Sequence, residues 1–170
     1  MEKRIIMITG GQRSGKSELS ENLALAADPC PVYLATAEVL DDEFRERVAL
    51  HRRRRGPQWS AIEEPLYLSR HDVEGNAVVI DCMTMWATKA FFTFGEDPAR
   101  ALDFLKEEFM RFTAQEAVFI FVTNELGSGG IGADAMTRKF TDLQGWFNQF
   151  VASEADDVYL TVAGIPLKIK

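Results

Sequence analysis

The sequence of 170 residues is poor in cysteine, in histidine and in long apolar runs, and each shortage removes a class of protein. Its two cysteines, Cys30 and Cys82, stand far apart and lack partners at metal-ligand spacing. That excludes a disulfide scaffold and a cysteine-rich zinc site, and it fits a reduced compartment. No apolar stretch is long enough to span a bilayer, and the apolar start Ile5–Ile6–Met7–Ile8 runs into a glycine turn instead of a cleavage site. A cytoplasmic protein without stable membrane insertion is therefore expected. Positive charge is scarce as well: 19 Lys and Arg against 26 Asp and Glu leave a net charge of −7, which argues against a nucleic-acid partner that would need a broadly basic face. The basic exception is local, His51 followed by four arginines, Arg52 to Arg55. With 46% apolar residues the chain can fill one core, and a single domain over residues 1–170 is expected.

What is present reads as alternating strands and helices. RIIMIT (4–9) is a short β-branched run of the kind buried on both faces, and SELSENLALAA (17–27) follows it as a helix. Val32–Thr36 is a second strand, and residues 41–55 suit a helix with early acids and late bases. AVVID (77–81) and AVFIFVT (117–123) are further strands, separated by two helical stretches broken near Gly95–Pro98. A helix over 137–154 leads to DVYLTV and PLKIK, a terminal strand pair around the turn at Ala163–Pro166. The pattern predicts an α/β fold: a mostly parallel sheet covered by helices on both faces, with ligands at the carboxyl ends of its strands.

Between the first strand and the first helix lies GGQRSGKS, comprising Gly10, Gly11, Gln12, Arg13, Ser14, Gly15, Lys16 and Ser17. It matches G-x-x-x-x-G-K-[ST] in the context that the pattern requires. Glycines let backbone N–H groups wrap a phosphate, and the helix start adds amides and a favourable dipole. Lys16 then reaches the β and γ phosphates, while Ser17 offers its hydroxyl to Mg²⁺. A second acidic ligand for that ion is expected at the end of a neighbouring strand. Asp81 fills this place, with an N-cap for the helix near Met83 as its alternative role.

His51, among guanidinium groups, should be held neutral with a lone pair available at neutral pH, as a nucleophile needs. The arginines would bind a triphosphate and offset charge on a leaving pyrophosphate. The residues alone leave open a solvated basic helix end with an incidental histidine. His71, in SRHDVEGN, reads as a surface turn residue.

An ordered series of segments resembles a known family, the bifunctional adenosylcobinamide kinase/adenosylcobinamide-phosphate guanylyltransferases of cobalamin biosynthesis. It comprises TGGQRSGKS (9–17), YLATAEVLDDEFRERVALHRRRRGPQW (33–59), EEP (63–65), IDCMTMW (80–86), VTNELGSG (122–129), FNQ (147–149) and AGIPLKIK (163–170). The resemblance implies a RecA-like P-loop domain, assembled as a homotrimer, that uses ATP or GTP and Mg²⁺. It implies phosphorylation of the aminopropanol hydroxyl of adenosylcobinamide, then attack of His51 on the α-phosphorus of GTP to form a covalent GMP-histidine. The cobinamide phosphate takes up that GMP to give adenosylcobinamide-GDP. Carried over by matching positions, Gly10–Ser17 would bind phosphates and Thr36, Ala37 and Glu38 would line the nucleotide site. Arg52, Arg53, Arg54, Arg55 and Glu63 would contact guanylate or its phosphates, and Asp81 would lie on the metal side. Glu63 without the resemblance is a solvated loop carboxylate. Asn124 and Glu125 are candidates to touch the acceptor, with a strand-end turn as their alternative.

The chain departs from the family pattern outside the nucleotide motifs. GSGGIGAD carries no proline, Phe140–Thr141–Asp142 and Gly145–Trp146–Phe147–Asn148–Gln149 lack two arginines, and Thr88–Lys89 replaces a threonine-asparagine pair. These differences fall on corrinoid recognition and subunit packing. Two other functions compete: a P-loop small-molecule kinase in which His51 is inert, and a GTP-binding regulatory protein. The guanine-reading N-K-x-D of regulatory GTPases is absent from the sequence.

Overall fold

A computed structural model of the chain describes residues 1–37 and 55–170. Seven strands form one sheet: β1 (Arg4–Gly10), β2 (Val32–Ala35), β3 (Ser60–Glu63), β4 (Ala77–Asp81), β5 (Val118–Val122), β6 (Asp157–Val162) and β7 (Ile165–Lys168). Their spatial order is β3-β2-β4-β5-β1-β6-β7, parallel throughout except that β7 runs antiparallel to β6. The helices are α1 (Lys16–Ala27), α2 (Met83–Thr93), α3 (Pro98–Phe112) and α4 (Ala135–Glu154).

Period-two alternation along β1 divides the core. Ile5 and Met7 face a cluster built with Trp86, Phe91, Phe109, Phe112 and Phe147 of α2, α3 and α4. Ile6 and Ile8 face a smaller cluster with Ala24, Leu19 and Leu23 of α1. The central strands β4 and β5 are buried nearly end to end, which is why both read as continuous apolar runs. Asp97 starts α3 with Pro98 at its first turn, its carboxylate accepting from the N–H groups of Ala99 and Arg100.

The RecA-like P-loop architecture agrees with the sequence reading, including the terminal strand pair, whose turn is Ala163–Gly164. One strand was not anticipated, and the alternative role of Asp81 needs correction. The edge strand β3 carries one half-buried apolar residue, Ile62, and so gave no alternation to read. Asp81 does not cap α2: Cys82 holds the N-cap position, and the Asp81 carboxylate is engaged elsewhere. The helix expected over 41–55 falls, except for Arg55, outside the described residues, as do Glu38, His51, Arg52, Arg53 and Arg54.

Candidate active site

The carboxyl ends of β1, β4 and β5 meet at the loop of Gly10–Ser17. Gly15, at φ 103°, occupies the N-cap of α1 in the left-handed region. A Cβ there would lie 3.1 Å from the Cα of Gly164, because the β6–β7 turn presses against the loop. That turn is tied down twice. The Gly164 N–H donates to the Ser14 carbonyl at 2.9 Å, and the hydroxyls of Ser14 and Thr161 share a hydrogen bond of 2.7 Å.

Lys16 is buried, and its ammonium donates to the carbonyls of Gly10 at 3.0 Å and Gly11 at 2.6 Å. Desolvation lowers its pKa, while Cys82 and Asp81 act in the opposite direction. A cation so held, beside a helix N-terminus, is a preformed receptor for phosphate oxygens.

Asp81 ends β4 level with Ala35 of β2, and Ala35 in turn is level with Glu63 of β3. The Tyr33 hydroxyl donates to Asp81 Oδ2 at 2.6 Å. Burial first, then the adjacent Asp81 carboxylate, raise the Tyr33 pKa well above its ordinary value, so the phenol stays a donor. The Arg55 guanidinium carbon lies 3.2 Å from the centroid of the Tyr33 ring, and Trp59 meets the same ring edge-on. Thr36 is buried, its N–H donating to the Asp81 carbonyl and its hydroxyl to the Cys82 carbonyl at 2.7 Å. Thr36 and its half-buried neighbour Ala37 therefore follow β2 alongside the Asp81 end of β4. Burial pushes the Cys82 thiol up to about 12, which leaves it protonated and inert as a nucleophile.

Among the described residues no group of three or more His, Cys, Asp or Glu could hold a metal ion. Ser17 and the Asp81 oxygen left by Tyr33 are oxygen groups that could hold Mg²⁺, an ion that takes only one or two ligands from protein.

Thus Gly10–Ser17, Thr36, Ala37 and Asp81 gather at one end of the sheet. Arg55 reaches the same cluster through Tyr33, while Glu63 lies two strands away from Asp81 at the sheet edge, about 10 Å by strand spacing. His71 lies apart, its Nε2 at 3.5 Å from Glu64 Oε2. Sequence reasoning assigned no role to Tyr33, although it stands in the quoted YLATA segment, nor to Thr84 and Gln144, whose partners are distant in the chain.

A solved structure with the same fold is the flagellar accessory protein FlaH from Methanocaldococcus jannaschii, with a TM-score of 0.51 and 13% identity over 99% of this chain and 79% of that one. In sequence the chain is 37% identical over 169 residues to the bifunctional adenosylcobalamin biosynthesis protein CobP of Pseudomonas aeruginosa, covering 96% of both chains. It is 35% identical over 182 residues to the bifunctional adenosylcobalamin biosynthesis protein CobU of Escherichia coli, covering 98% of this chain and 99% of that protein. The CobU protein of Salmonella typhimurium is also 35% identical, over 185 residues. Residues 6–169 match the family model, and the chain belongs to the cobinamide kinase / cobinamide phosphate guanyltransferase family.

Proposed function

We propose that this chain, as one catalytic domain, transfers the terminal phosphoryl of ATP or GTP to the aminopropanol hydroxyl of adenosylcobinamide. It then transfers GMP from GTP to the resulting phosphate. The observation that carries the reading is a preformed phosphate loop, with Lys16 held by the Gly10 and Gly11 carbonyls, in a chain that matches this family over residues 6–169.

In the kinase half, the acceptor oxygen bonds to the terminal phosphorus as the bridging bond to the nucleoside diphosphate breaks, and the hydroxyl proton leaves to solvent. Loop amides and Lys16 offset the charge on the transferring group. Ser17 and Asp81 would hold Mg²⁺, which would offset part of the same charge. In the guanylyl half, His51 attacks the α-phosphorus, pyrophosphate departs, and the cobinamide phosphate oxygen displaces the histidine to give adenosylcobinamide-GDP. Thr36, Ala37, Glu38, Arg52, Arg53, Arg54, Arg55 and Glu63 line or contact the nucleotide. A cytoplasmic homotrimer completes the reading.

Intact-protein mass spectrometry after incubation with GTP, Mg²⁺ and pyrophosphatase tests it, comparing wild type with His51→Ala. A guanylate-sized, acid-labile adduct is expected on wild type alone. Bound nucleotide with no adduct on either protein would remove His51 and the guanylyl half. Failure to phosphorylate adenosylcobinamide would remove the substrate.

A further inference from the structure

β5 lies between β1, which leads into the phosphate loop, and β4, which ends at Asp81. The first residues after it, Thr123 and Asn124, therefore emerge between the nucleotide-binding loop and the acidic ligand. The following N–H, that of Glu125, donates to the Gly10 carbonyl of the loop itself. A polar array holds this position from both sides, and much of it is buried.

On the α4 side, Gln144 and Thr123 are fully buried. Gln144 Nε2 donates to Thr123 Oγ1 and to Asn148 Oδ1, both at 2.9 Å, and the Thr123 hydroxyl donates to Asn148 Oδ1 at 2.8 Å. Asn148 Nδ2 donates to the Asn124 carbonyl at 3.3 Å. The directions are forced. A backbone carbonyl only accepts, so Asn148 must turn its NH₂ towards it and its oxygen towards Thr123 and Gln144. Gln144 must then present its NH₂ to the array, which leaves its buried Oε1 without a hydrogen-bond partner. A buried carbonyl without a partner is destabilising, so the array carries a cost beside its hydrogen bonds.

On the α2 side, the Thr84 hydroxyl oxygen faces Asn124. It accepts from the Asn124 N–H at 3.1 Å and from Asn124 Nδ2 at 3.2 Å. The carboxamide of Asn124 is thereby oriented with its NH₂ committed to Thr84. Its Oδ1 receives no donor among the described residues. An amide oxygen accepts hydrogen bonds and repels the oxygens of a phosphate. It therefore suits a hydroxyl donor.

Resting on the proposed kinase half, we propose that Thr84, Asn148 and Gln144 are positioning residues for phosphoryl transfer, fixing Asn124 so that its Oδ1 accepts from the attacking hydroxyl of the acceptor. Asn124 orients that oxygen and takes no proton. Phosphoryl transfer gains most from such alignment of a nucleophile with a charged centre.

The test compares Thr84→Val, Asn148→Leu and Asn124→Ala with Thr84→Ser, which keeps the hydroxyl. For each, kcat and KM for phosphorylation of adenosylcobinamide are measured beside the affinity for a fluorescent GTP analogue, the GMP adduct and the melting temperature. Thr84→Val and Asn124→Ala should each lower kcat about 10- to 100-fold, the scale expected for a misplaced reactant. Nucleotide affinity and adduct should stay unchanged, and Thr84→Ser should recover most of the rate. The double variant Thr84→Val/Asn124→Ala should be no worse than Asn124→Ala, since both act through one carboxamide. If Asn148→Leu fails to fold, the Thr84 pair and the double variant decide alone. Wild-type kcat in Thr84→Val, or an equal loss of kcat, nucleotide affinity and adduct, would overturn the proposal while leaving the kinase reading intact. A wild type that phosphorylates nothing overturns both.

Discussion

At the scale of single residues, the site is governed by hydrogen bonds that settle which oxygen remains for a ligand. Tyr33 takes one oxygen of Asp81, and its phenol, raised in pKa by burial and by that carboxylate, does not give up its proton near neutrality. If the remaining oxygen serves the Mg²⁺ shell, Tyr33→Phe leaves Asp81 free to rotate. The Mg²⁺ concentration for half-maximal phosphoryl transfer should then rise by about 3- to 10-fold, the equivalent of one modest hydrogen bond. Nucleotide affinity without Mg²⁺ should not move, and a metal titration of both proteins checks the pair of expectations. Lys16 shows the same economy. Its ammonium sits on two loop carbonyls until a phosphate can compete for it, so binding exchanges hydrogen bonds and does not have to create an ordered lysine.

At the scale of elements, the β6–β7 hairpin acts as a backstop for the phosphate loop. Its turn meets Gly15 and Ser14 through Gly164, with Thr161 of β6 reinforcing the contact. Gly164 has φ 82°, where a β-branched residue is strained. Gly164→Val should therefore lower the melting temperature and also weaken binding of a GTP analogue several-fold, although the residue donates only to Ser14. Gly75→Val is the control: φ is 80° and at both positions an added Cβ meets nothing within 4 Å, so the backbone strain is equal, but only Gly164 adjoins the phosphate loop and Gly75→Val should leave nucleotide affinity unchanged. Equal affinities for the two variants would mean that the hairpin does not support the loop.

At the scale of the molecule, buried carboxylates link distant parts of the sheet and set its response to acid. Asp28, at the C-cap of α1, accepts from the Ala77 N–H at the start of β4 and from the Cys30 N–H. Asp157, at the start of β6, accepts from Arg4 of β1 and Lys168 of β7, each pair at 2.5 Å. Burial raises both pKa values, but in Asp28 the N–H donors, and in Asp157 the hydrogen bonds of Lys168 and Arg4, outweigh it and leave the net shift downward. A carboxyl whose folded pKa is depressed contributes stability above its unfolded value, near 3.9 for Asp, and loses it as pH falls through the folded value. The melting temperature should accordingly hold from neutrality to about pH 5 and fall below about pH 4. Asp157→Asn should be less stable at neutral pH and show a shallower acid decline. A parallel decline in both proteins would show that this carboxylate does not drive it.

The sequence by itself determined the phosphate loop, the buried strands β1, β4 and β5 and the helices on either side, because those signals are local. A glycine-rich turn with Lys and Ser at its end, and short apolar runs buried on both faces, are each complete within a few residues. It also carried the family through ordered segments spread over nearly the whole chain. Only the tertiary structure decided that β5 inserts between β1 and β4, which brings Asn124 beside the loop. The same holds for the pairing of Tyr33 with Asp81, of Asn148 with Asn124, and of Gly164 with Gly15. These contacts join residues distant in the chain through strand order and helix packing, and neither leaves a periodic trace in the sequence around them. The edge strand β3 stayed hidden for a related reason: a strand with little buried surface has little hydrophobic pattern to display.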